Sequence, residues 1–175
     1  MVKWAKNFGY NVDLDNWRMM WKESNKILKP ANLRENVLKM FYRWHYTPIR
    51  LAKMSEGNSN ICWKCRKKVG TYYHMWWTCE KVKIYWTQVW DLVKEIIQQT
   101  LELKPEMALL NVVSGVNDNK LKHCLMYILT AARLLWAQKR KTEEVPTMEE
   151  LLKKLWTWQS WTRYQKHYGN SQETI

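Results

Sequence analysis

The chain has 175 residues, which can bury one sizeable hydrophobic core or two small ones. Its 29 lysine and arginine residues against 16 acidic residues give a net charge of +13, which favours an anionic partner such as nucleic acid. No segment approaches the ~20 consecutive apolar residues of a membrane span, and the first residues lack a signal-peptide pattern. We therefore expect an intracellular protein with no membrane partner and no small-molecule substrate.

Residues 1–57 are predicted to form a basic helical segment. A mostly apolar face with helical spacing runs from Leu14 to Leu28. Asp13 is the predicted N-cap of this helix, and Pro30 closes it.

Two further helices are predicted in the same segment. One starts at Asn32, where Glu35 completes a capping-box pattern three residues later. Its apolar face is formed by Val37, Met40, Phe41 and Trp44. A short helix then starts with Thr47 as N-cap and Pro48 at its first position, and it ends near Gly57.

A cysteine and histidine array follows in residues 58–81, with the spacing C-x2-C-x8-H-x4-C. Its members are Cys62, Cys65, His74 and Cys79. Zinc takes four sulfur or nitrogen ligands in a tetrahedron, and a C-x2-C pair on a tight turn supplies two of them. Four protein ligands leave no position for water or substrate, so the pattern predicts a structural Zn2+ ion and not a hydrolytic one.

Other interpretations of the cysteines stay open. The C-x2-C pair alone is typical of redox motifs, although such a motif starts a helix beside a βαβ pattern, which is missing around it. His74 and Cys79 also fit ordinary buried residues of an aromatic-rich segment. Cys124 lies in an apolar helical pattern without partners at ligand spacing, which indicates a core thiol.

Positive charge concentrates in the first half of the chain. Residues 1–60 carry +6, residues 61–81 carry +4 and the remaining 94 residues carry +3. Four basic residues crowd the predicted metal loop, namely Lys64, Arg66, Lys67 and Lys68. We predict that they contact phosphates, the alternative being a merely solvated loop.

Thirteen tryptophans are present, and several flank the basic loop. Aromatic faces among basic residues suit single-stranded nucleic acid, because bases stack on them. Trp63 and one of the adjacent pair Trp76 and Trp77 are predicted to contact RNA. The alternative is that these rings belong to the core, as helical spacing indicates for Trp86 and Trp90.

Residues 82–168 are predicted to form a helical segment packed as one unit with the metal module. Apolar positions from Val82 to Ile97 indicate an amphipathic helix of about 20 residues. Residues 107–113 fit either a strand or an irregular link. Residues 121–139 are apolar on most sides, which predicts a central helix.

A last helix is predicted after Pro146 and Thr147, where Glu150 completes another capping box. It carries Leu151, Leu155, Trp158 and Trp161. Residues 169–175 are a polar tail. No glycine-rich phosphate loop, nucleophile elbow or clustered histidines occur in the chain, so we expect no enzymatic activity of its own.

Several short motifs occur in a characteristic order along the chain. They are YRWHYTPIRLAKM at 42–54, CWKC at 62–65, GT at 70–71, HMWWTC at 74–79, Trp86, LTAARLLWAQ at 129–138 and VPTMEEL at 145–151. This order resembles the cysteine-rich C-terminal segment of the second open reading frame protein of vertebrate LINE retrotransposons, over about residues 30 to 160. In that family an endonuclease and a reverse transcriptase precede this segment, and neither is expected within these residues.

The resemblance implies RNA binding in support of target-primed reverse transcription, in the cytoplasm and nucleus. We therefore expect a mostly α, zinc-stabilised RNA-binding module of a LINE-type reverse transcriptase protein. Two alternatives stay open. One is a zinc-stapled module that docks on the reverse transcriptase core or on a host protein, and the other is a decayed fragment without independent function.

Overall fold

The computed structural model describes residues 2–98, 101–113 and 115–157, which are mostly helical as predicted. The helices are α1 (Val2–Phe8), α2 (Leu14–Ile27), α3 (Ala31–Phe41), α4 (Pro48–Met54), α5 (Glu80–Ile97), α6 (Pro105–Leu110), α7 (Asn119–Lys139) and α8 over residues 148–157. A π-helical turn, His74–Thr78, directly precedes α5. Over these ranges the only β pairing is an isolated antiparallel bridge between Ile61 and Val69.

Helix α7 lies at the centre of the fold. It contacts α2, α3, α5 and α6, and most of its residues from Leu125 to Ala137 are buried. A helix that is apolar on nearly all sides can bury its side chains only when other elements surround it. None of the helices in the described ranges is long and apolar enough to cross a membrane.

The hydrophobic core is continuous from the first helix to the last. Trp4 in α1, Leu33 in α3, Trp76 in the π turn, Trp90 in α5 and Leu151 in α8 all belong to it. Helix α1, which the sequence did not predict, is held at its Trp4 indole N–H, which donates to the Phe41 carbonyl at 2.9 Å. The segment boundaries at residues 57 and 81 stay a prediction.

A fully buried arginine joins three of these helices. The guanidinium of Arg133 in α7 donates to Asn36 Oδ1 at 3.1 Å, to the Ala108 carbonyl at 2.7 Å, to Asn111 Oδ1 at 2.9 Å and to Thr130 Oγ1 at 2.8 Å. Burial lowers the pKa of Arg133 to about 9, still above neutral pH, so the side chain stays charged. Neutral acceptors on α3 and α6 therefore converge on this cation, which fixes how both helices meet α7.

Residues 107–113, predicted to be either a strand or an irregular link, are helical up to Leu110 and irregular from Asn111 to Val113. Residues 107–110 belong to α6, whose last turn ends where Asn111 adopts a left-handed conformation with φ of 57°. Val112 and Val113 then remain buried. A six-residue helix is too short to show a periodic pattern in the sequence.

The start and end of α3 differ from the prediction. The helix begins at Ala31, and the capping box expected at Asn32 does not form, since Glu35 pairs with Lys39 at 2.7 Å instead. It ends at Phe41, so Trp44 lies outside the helix and is 67% exposed. Trp44 is therefore not part of an apolar helix face.

The capping box at α8 is confirmed. The Thr147 N–H donates to Glu150 Oε2 at 2.8 Å, and the Glu150 N–H donates to Thr147 Oγ1 at 3.2 Å. Leu151 is buried beneath this turn. The predicted positions of Trp158, Trp161 and the tail lie outside the described residues.

Candidate metal centre

The structure brings the four predicted ligands together. One ligand atom from each of Cys62, Cys65, His74 and Cys79 lies within 4.8 Å of all the others, and all four residues are buried. Residues 17 positions apart thus meet in one cluster that can hold a metal ion.

The two N-terminal ligands sit on a hairpin-like loop. The Cys62 N–H donates to the Lys68 carbonyl at 2.8 Å, and the Gly70 N–H donates to the Asn60 carbonyl at 2.8 Å. Within the loop the Arg66 N–H donates to the Cys62 carbonyl at 3.0 Å, and Arg66 has a left-handed φ of 56°. The chain therefore reverses just after Cys65, so that both thiols belong to one tight turn.

The two C-terminal ligands bracket the π turn. The Cys79 N–H donates to the His74 carbonyl at 2.9 Å, a hydrogen bond between residues five apart. Five residues of an α-helix rotate the side chain about 140° away, because each residue turns it by about 100°. The wider π turn shortens this offset and brings both ends of the H-x4-C pair to the same side, a use of π turns that is frequent at functional sites. The i, i+5 spacing is the signal that sequence reasoning did not use.

Two threonines orient the histidine. Thr78 Oγ1 lies 3.3 Å from His74 Nδ1, and Thr71 Oγ1 accepts the His74 backbone N–H at 3.1 Å. The other ring nitrogen, Nε2, lies 3.4 Å from Cys65 Sγ. A hydrogen bond at one ring nitrogen fixes the tautomer and leaves the other free to bind metal. Thr71 and Thr78 were not predicted as part of the site.

The separations fit a tetrahedral ion. Metal–ligand bonds of ~2.3 Å for sulfur and ~2.0 Å for nitrogen place two sulfurs ~3.8 Å apart, and a sulfur and a nitrogen ~3.5 Å apart. The Cys62 and Cys79 sulfurs are 4.0 Å apart, and the Cys65 sulfur is 3.4 Å from His74 Nε2. Three thiols and one imidazole complete a four-ligand set without an open position.

The Cys62 thiol is electrostatically prepared for deprotonation. The hydrogen bond shared with Cys79 lowers the pKa of Cys62, and the backbone N–H groups of Cys65 and Lys64 lower it further. The same shared bond raises the pKa of Cys79, together with burial. Metals bind cysteine as the thiolate, so ion binding releases the thiol protons.

Lys64 is not available to phosphates, contrary to the sequence prediction. Its side chain is 3% exposed, and its ammonium donates to the Lys139 carbonyl at 2.8 Å and to the Glu144 carbonyl. The ammonium also lies 4.6 Å from the centre of the Trp136 ring. Lys64 therefore ties the metal loop to the C-terminal end of α7, where carbonyl groups favour a cation.

The other three basic residues of the loop are exposed. Arg66 Nε lies 2.9 Å from a Glu143 carboxylate oxygen, and Lys67 Nζ lies 3.0 Å from a Glu80 carboxylate oxygen. Lys68 is exposed beside them. Their cationic groups face water, as a phosphate contact requires.

The aromatic candidates are mostly packed inside. Trp76 is 1% exposed and stacks on both His45 and Tyr72, with ring centres 5.1 and 5.9 Å away, so it is not accessible to a base. Trp63 and Trp77 are half-buried against the core, and the Trp77 ring lies 6.3 Å from that of Trp86. Of the adjacent pair, only Trp77 retains exposed surface.

No protein family model matches this chain. Inference about its role therefore starts from the cluster of ligands, the exposed basic loop and the order of motifs in the sequence.

Proposed function

We propose that the chain is an RNA-binding module whose fold is held by one structural zinc ion. The observation that carries this proposal is the charge of the segment around the ligand cluster. Residues 36–79 contain eight lysine and arginine residues and a single acidic residue, Glu56. Such a segment attracts a polyanion through its cations and has almost no carboxylate to repel it.

Zinc is the ion that best suits three thiols and one imidazole in a closed tetrahedral set. When bound, it supplies four strong bonds that cross-link the loop at residues 62–65 to the π turn. The ligand side chains then fix the backbone that displays Arg66, Lys67 and Lys68. Because the set has no open position, the residues hold the ion for structure and not for hydrolysis.

The exposed ion pairs of the loop are compatible with phosphate binding. Exposed pairs such as Arg66 with Glu143 and Lys67 with Glu80 contribute little to stability, about 0 to 1 kcal/mol. A phosphate can therefore replace either carboxylate at low cost.

The resemblance to the LINE family supports the same conclusion. The motif order around the ligand cluster is similar to that of the family's C-terminal segment. In the parent polypeptide this segment follows a reverse transcriptase domain. We propose that this module holds template RNA near such a reverse transcriptase during target-primed synthesis. It contributes binding, and we assign it no catalytic step.

The test is RNA affinity across a salt series, with zinc content measured on the same samples. In one variant Arg66, Lys67 and Lys68 are all replaced by Gln. If all three bind phosphates, the slope of log affinity against log salt falls in magnitude by about 2, and affinity drops at every salt concentration. Zinc content stays at one ion per chain.

A matched control removes equal charge elsewhere. Lys22, Lys26 and Lys29 are exposed residues in the second half of α2 and just after it, and their replacement by Gln lowers the net charge equally. The salt slope then stays near that of the wild type. Absence of RNA binding by the wild type at about 50 mM salt contradicts the proposal.

A second function is favoured by a different surface. A groove of about 1090 Å³ lies between α2, α5, α7 and α8, lined by apolar side chains that include Ile27, Ile96, Ile128 and Leu155. It fits a module that docks on the reverse transcriptase core of a parent polypeptide. This function predicts that the chain co-purifies with the reverse transcriptase core and that Ile96→Glu abolishes the co-purification. RNA binding by the Ile96→Glu variant should stay unchanged.

A further inference from the structure

Three aromatic side chains point to solvent in the link between α3 and α4. Tyr42 is 68% exposed, Trp44 is 67% exposed and Tyr46 is 43% exposed. Soluble proteins bury most large aromatic rings, because each ring carries a large apolar area. Three exposed rings at every second position therefore require an explanation.

The residues between them point inward and hold the link in place. The Arg43 guanidinium lies 4.2 Å from the centre of the Trp4 ring and donates to the Lys3 carbonyl at 2.7 Å. His45 is buried and stacks on Trp76. Thr47, the next residue in the alternation, is also buried.

The backbone of the link is equally constrained. The Trp44 N–H donates to the Lys39 carbonyl at 2.8 Å, which closes the C-terminal end of α3. Arg43 adopts a left-handed φ of 51°, so the chain turns sharply before Trp44. The exposed rings are thus presented by a fixed backbone seated directly on the metal segment, and not by a loose loop.

The link and its flanking residues carry only positive charges between Glu35, which pairs with Lys39, and Glu56. Arg50 lies over the Tyr46 ring with its guanidinium carbon 5.1 Å from the ring centre. Lys39 and Arg140 lie close enough to His45 to depress its pKa. These cations add little to the affinity for an apolar protein partner. A polyanion, in contrast, interacts favourably with each of them.

We propose that Tyr42, Trp44 and Tyr46 form a stacking surface for the unpaired bases of a single RNA strand. Arg50 is placed to contact the phosphate beside the base on Tyr46. The inference rests on the RNA-binding function proposed above and makes it specific, since it names the unpaired strand as the ligand and places base contacts away from the basic loop. Stacking reads the flat face that every base has, so binding is tolerant of sequence.

The experiment compares a labelled oligouridylate of about 15 nucleotides with a fully paired RNA duplex of similar length. Each is titrated with the 175-residue chain, wild type or Trp44→Leu, and zinc content is recorded for both proteins. We expect Trp44→Leu to weaken binding of the single strand by about 5- to 100-fold, which corresponds to one lost stack. Binding of the duplex and the slope of log affinity against log salt stay unchanged.

Two further variants make the result interpretable. Trp44→Phe keeps an aromatic face, and it retains most of the affinity. Trp156→Leu removes a tryptophan that is 69% exposed on α8, and it leaves binding of the single strand unchanged. An effect of Trp44→Leu that equals that of Trp156→Leu overturns the proposal.

The outcomes separate this inference from the proposed function. If the wild type binds neither RNA, the RNA-binding function itself fails. If it binds the single strand and the triple variant with Leu at 42, 44 and 46 binds equally well, only the stacking surface fails. Equal losses on single strand and duplex also overturn it, because paired bases offer no open face to stack on the rings.

Discussion

At the scale of single residues, the candidate metal centre is arranged by side chains beyond its four ligand residues. Thr78 holds His74 Nδ1 at 3.3 Å, and this contact decides that Nε2 faces the thiols. Lys64 lies between two ligands in the sequence, yet its ammonium serves α7 and not the solvent. Thr78 acts on the ligand His74, and Lys64 acts on α7. Substitutions at these two residues can therefore be tested without removing a phosphate contact.

We expect Thr78→Val to weaken metal affinity by about 10- to 100-fold, because loss of a partner at the distal ring nitrogen frees the tautomer and the ring orientation. Thr78→Ser keeps the hydroxyl and serves as the control. Competition with a chromogenic chelator measures the affinity of each protein. Equal affinities for the wild type and Thr78→Val would exclude this role of Thr78.

We expect Lys64→Met to lower the free energy of unfolding by about 1 to 3 kcal/mol. The methionine keeps the apolar stem but removes the ammonium that donates to the Lys139 and Glu144 carbonyls; the Lys139 carbonyl still accepts from Thr142, so the loss falls mainly on the Glu144 carbonyl. Denaturant unfolding checks the loss, and Lys68→Met at an exposed site should change stability by no more than about 0.5 kcal/mol. RNA affinity of the folded Lys64→Met protein should match the wild type, since the buried ammonium reaches no phosphate.

His45 couples stability to pH. Burial is the main reason that its pKa is lowered to about 4, and the positive charges of Arg140 and Lys39 add to it. An unfolded chain takes up this proton near its ordinary pKa of about 6.5, whereas the folded protein does not until about pH 4. Between these values the unfolded state binds more protons, so stability falls as the pH falls.

We expect the wild type to lose about 2 kcal/mol more stability than His45→Leu between pH 7 and pH 4.5. Metal release on acidification affects both proteins alike, so the difference between them isolates His45. Unfolding in denaturant at a series of pH values measures it. Parallel curves for the two proteins would show that His45 is not the group responsible.

At the scale of elements, helix α4 and the metal loop meet without space between them. A Cβ atom at Gly70 would lie 2.5 Å from Pro48 Cγ, closer than atoms can pack. The Ile49 N–H also approaches the Gly70 carbonyl at 3.4 Å. The loop therefore depends on the start of α4 for its position.

We expect Gly70→Ala to destabilise the protein by about 1 to 3 kcal/mol through overpacking. In a Pro48→Ala background the same change costs less, because the Cγ and Cδ atoms it meets are gone. Thermal unfolding of the four proteins of this double-mutant cycle measures the coupling. Additive effects would show that the two residues do not touch.

At the element scale, the sequence predicted correctly those features that depend on residues close together in the chain. The ligand spacing, the apolar face of α5 and the Thr147–Glu150 capping box are each set by neighbouring residues, and the structure contains all three. Helix α1 was missed because its seven residues carry one buried side chain, Trp4, whose partner Phe41 is distant in sequence. The burial of Lys64 was missed for the same reason, since its acceptors lie 75 and 80 residues away.

At the scale of the whole molecule, the metal segment is part of the core and not an appendage. The Trp136 indole N–H of α7 donates to the Met75 carbonyl at 2.9 Å, and the Trp86 indole N–H of α5 donates to the Trp76 carbonyl at 3.0 Å. Both acceptors belong to the π turn between His74 and Cys79. Any loosening of the ligands therefore reaches the two longest helices of the described chain.

Removal of the metal should consequently destabilise the entire fold in one step. We expect a chelator to lower the thermal midpoint while unfolding stays a single transition, since a ligand that binds only the folded state stabilises all parts that unfold together. The thermal midpoints measured by circular dichroism of the helices and by tryptophan fluorescence should fall by the same amount.

Two variants serve as controls. Cys124→Ser, which alters a half-buried thiol outside the ligand cluster, should respond to chelator as the wild type does, whereas Cys79→Ser should not respond at all. Two separate transitions after chelation would mean that the metal segment folds independently of α5 and α7.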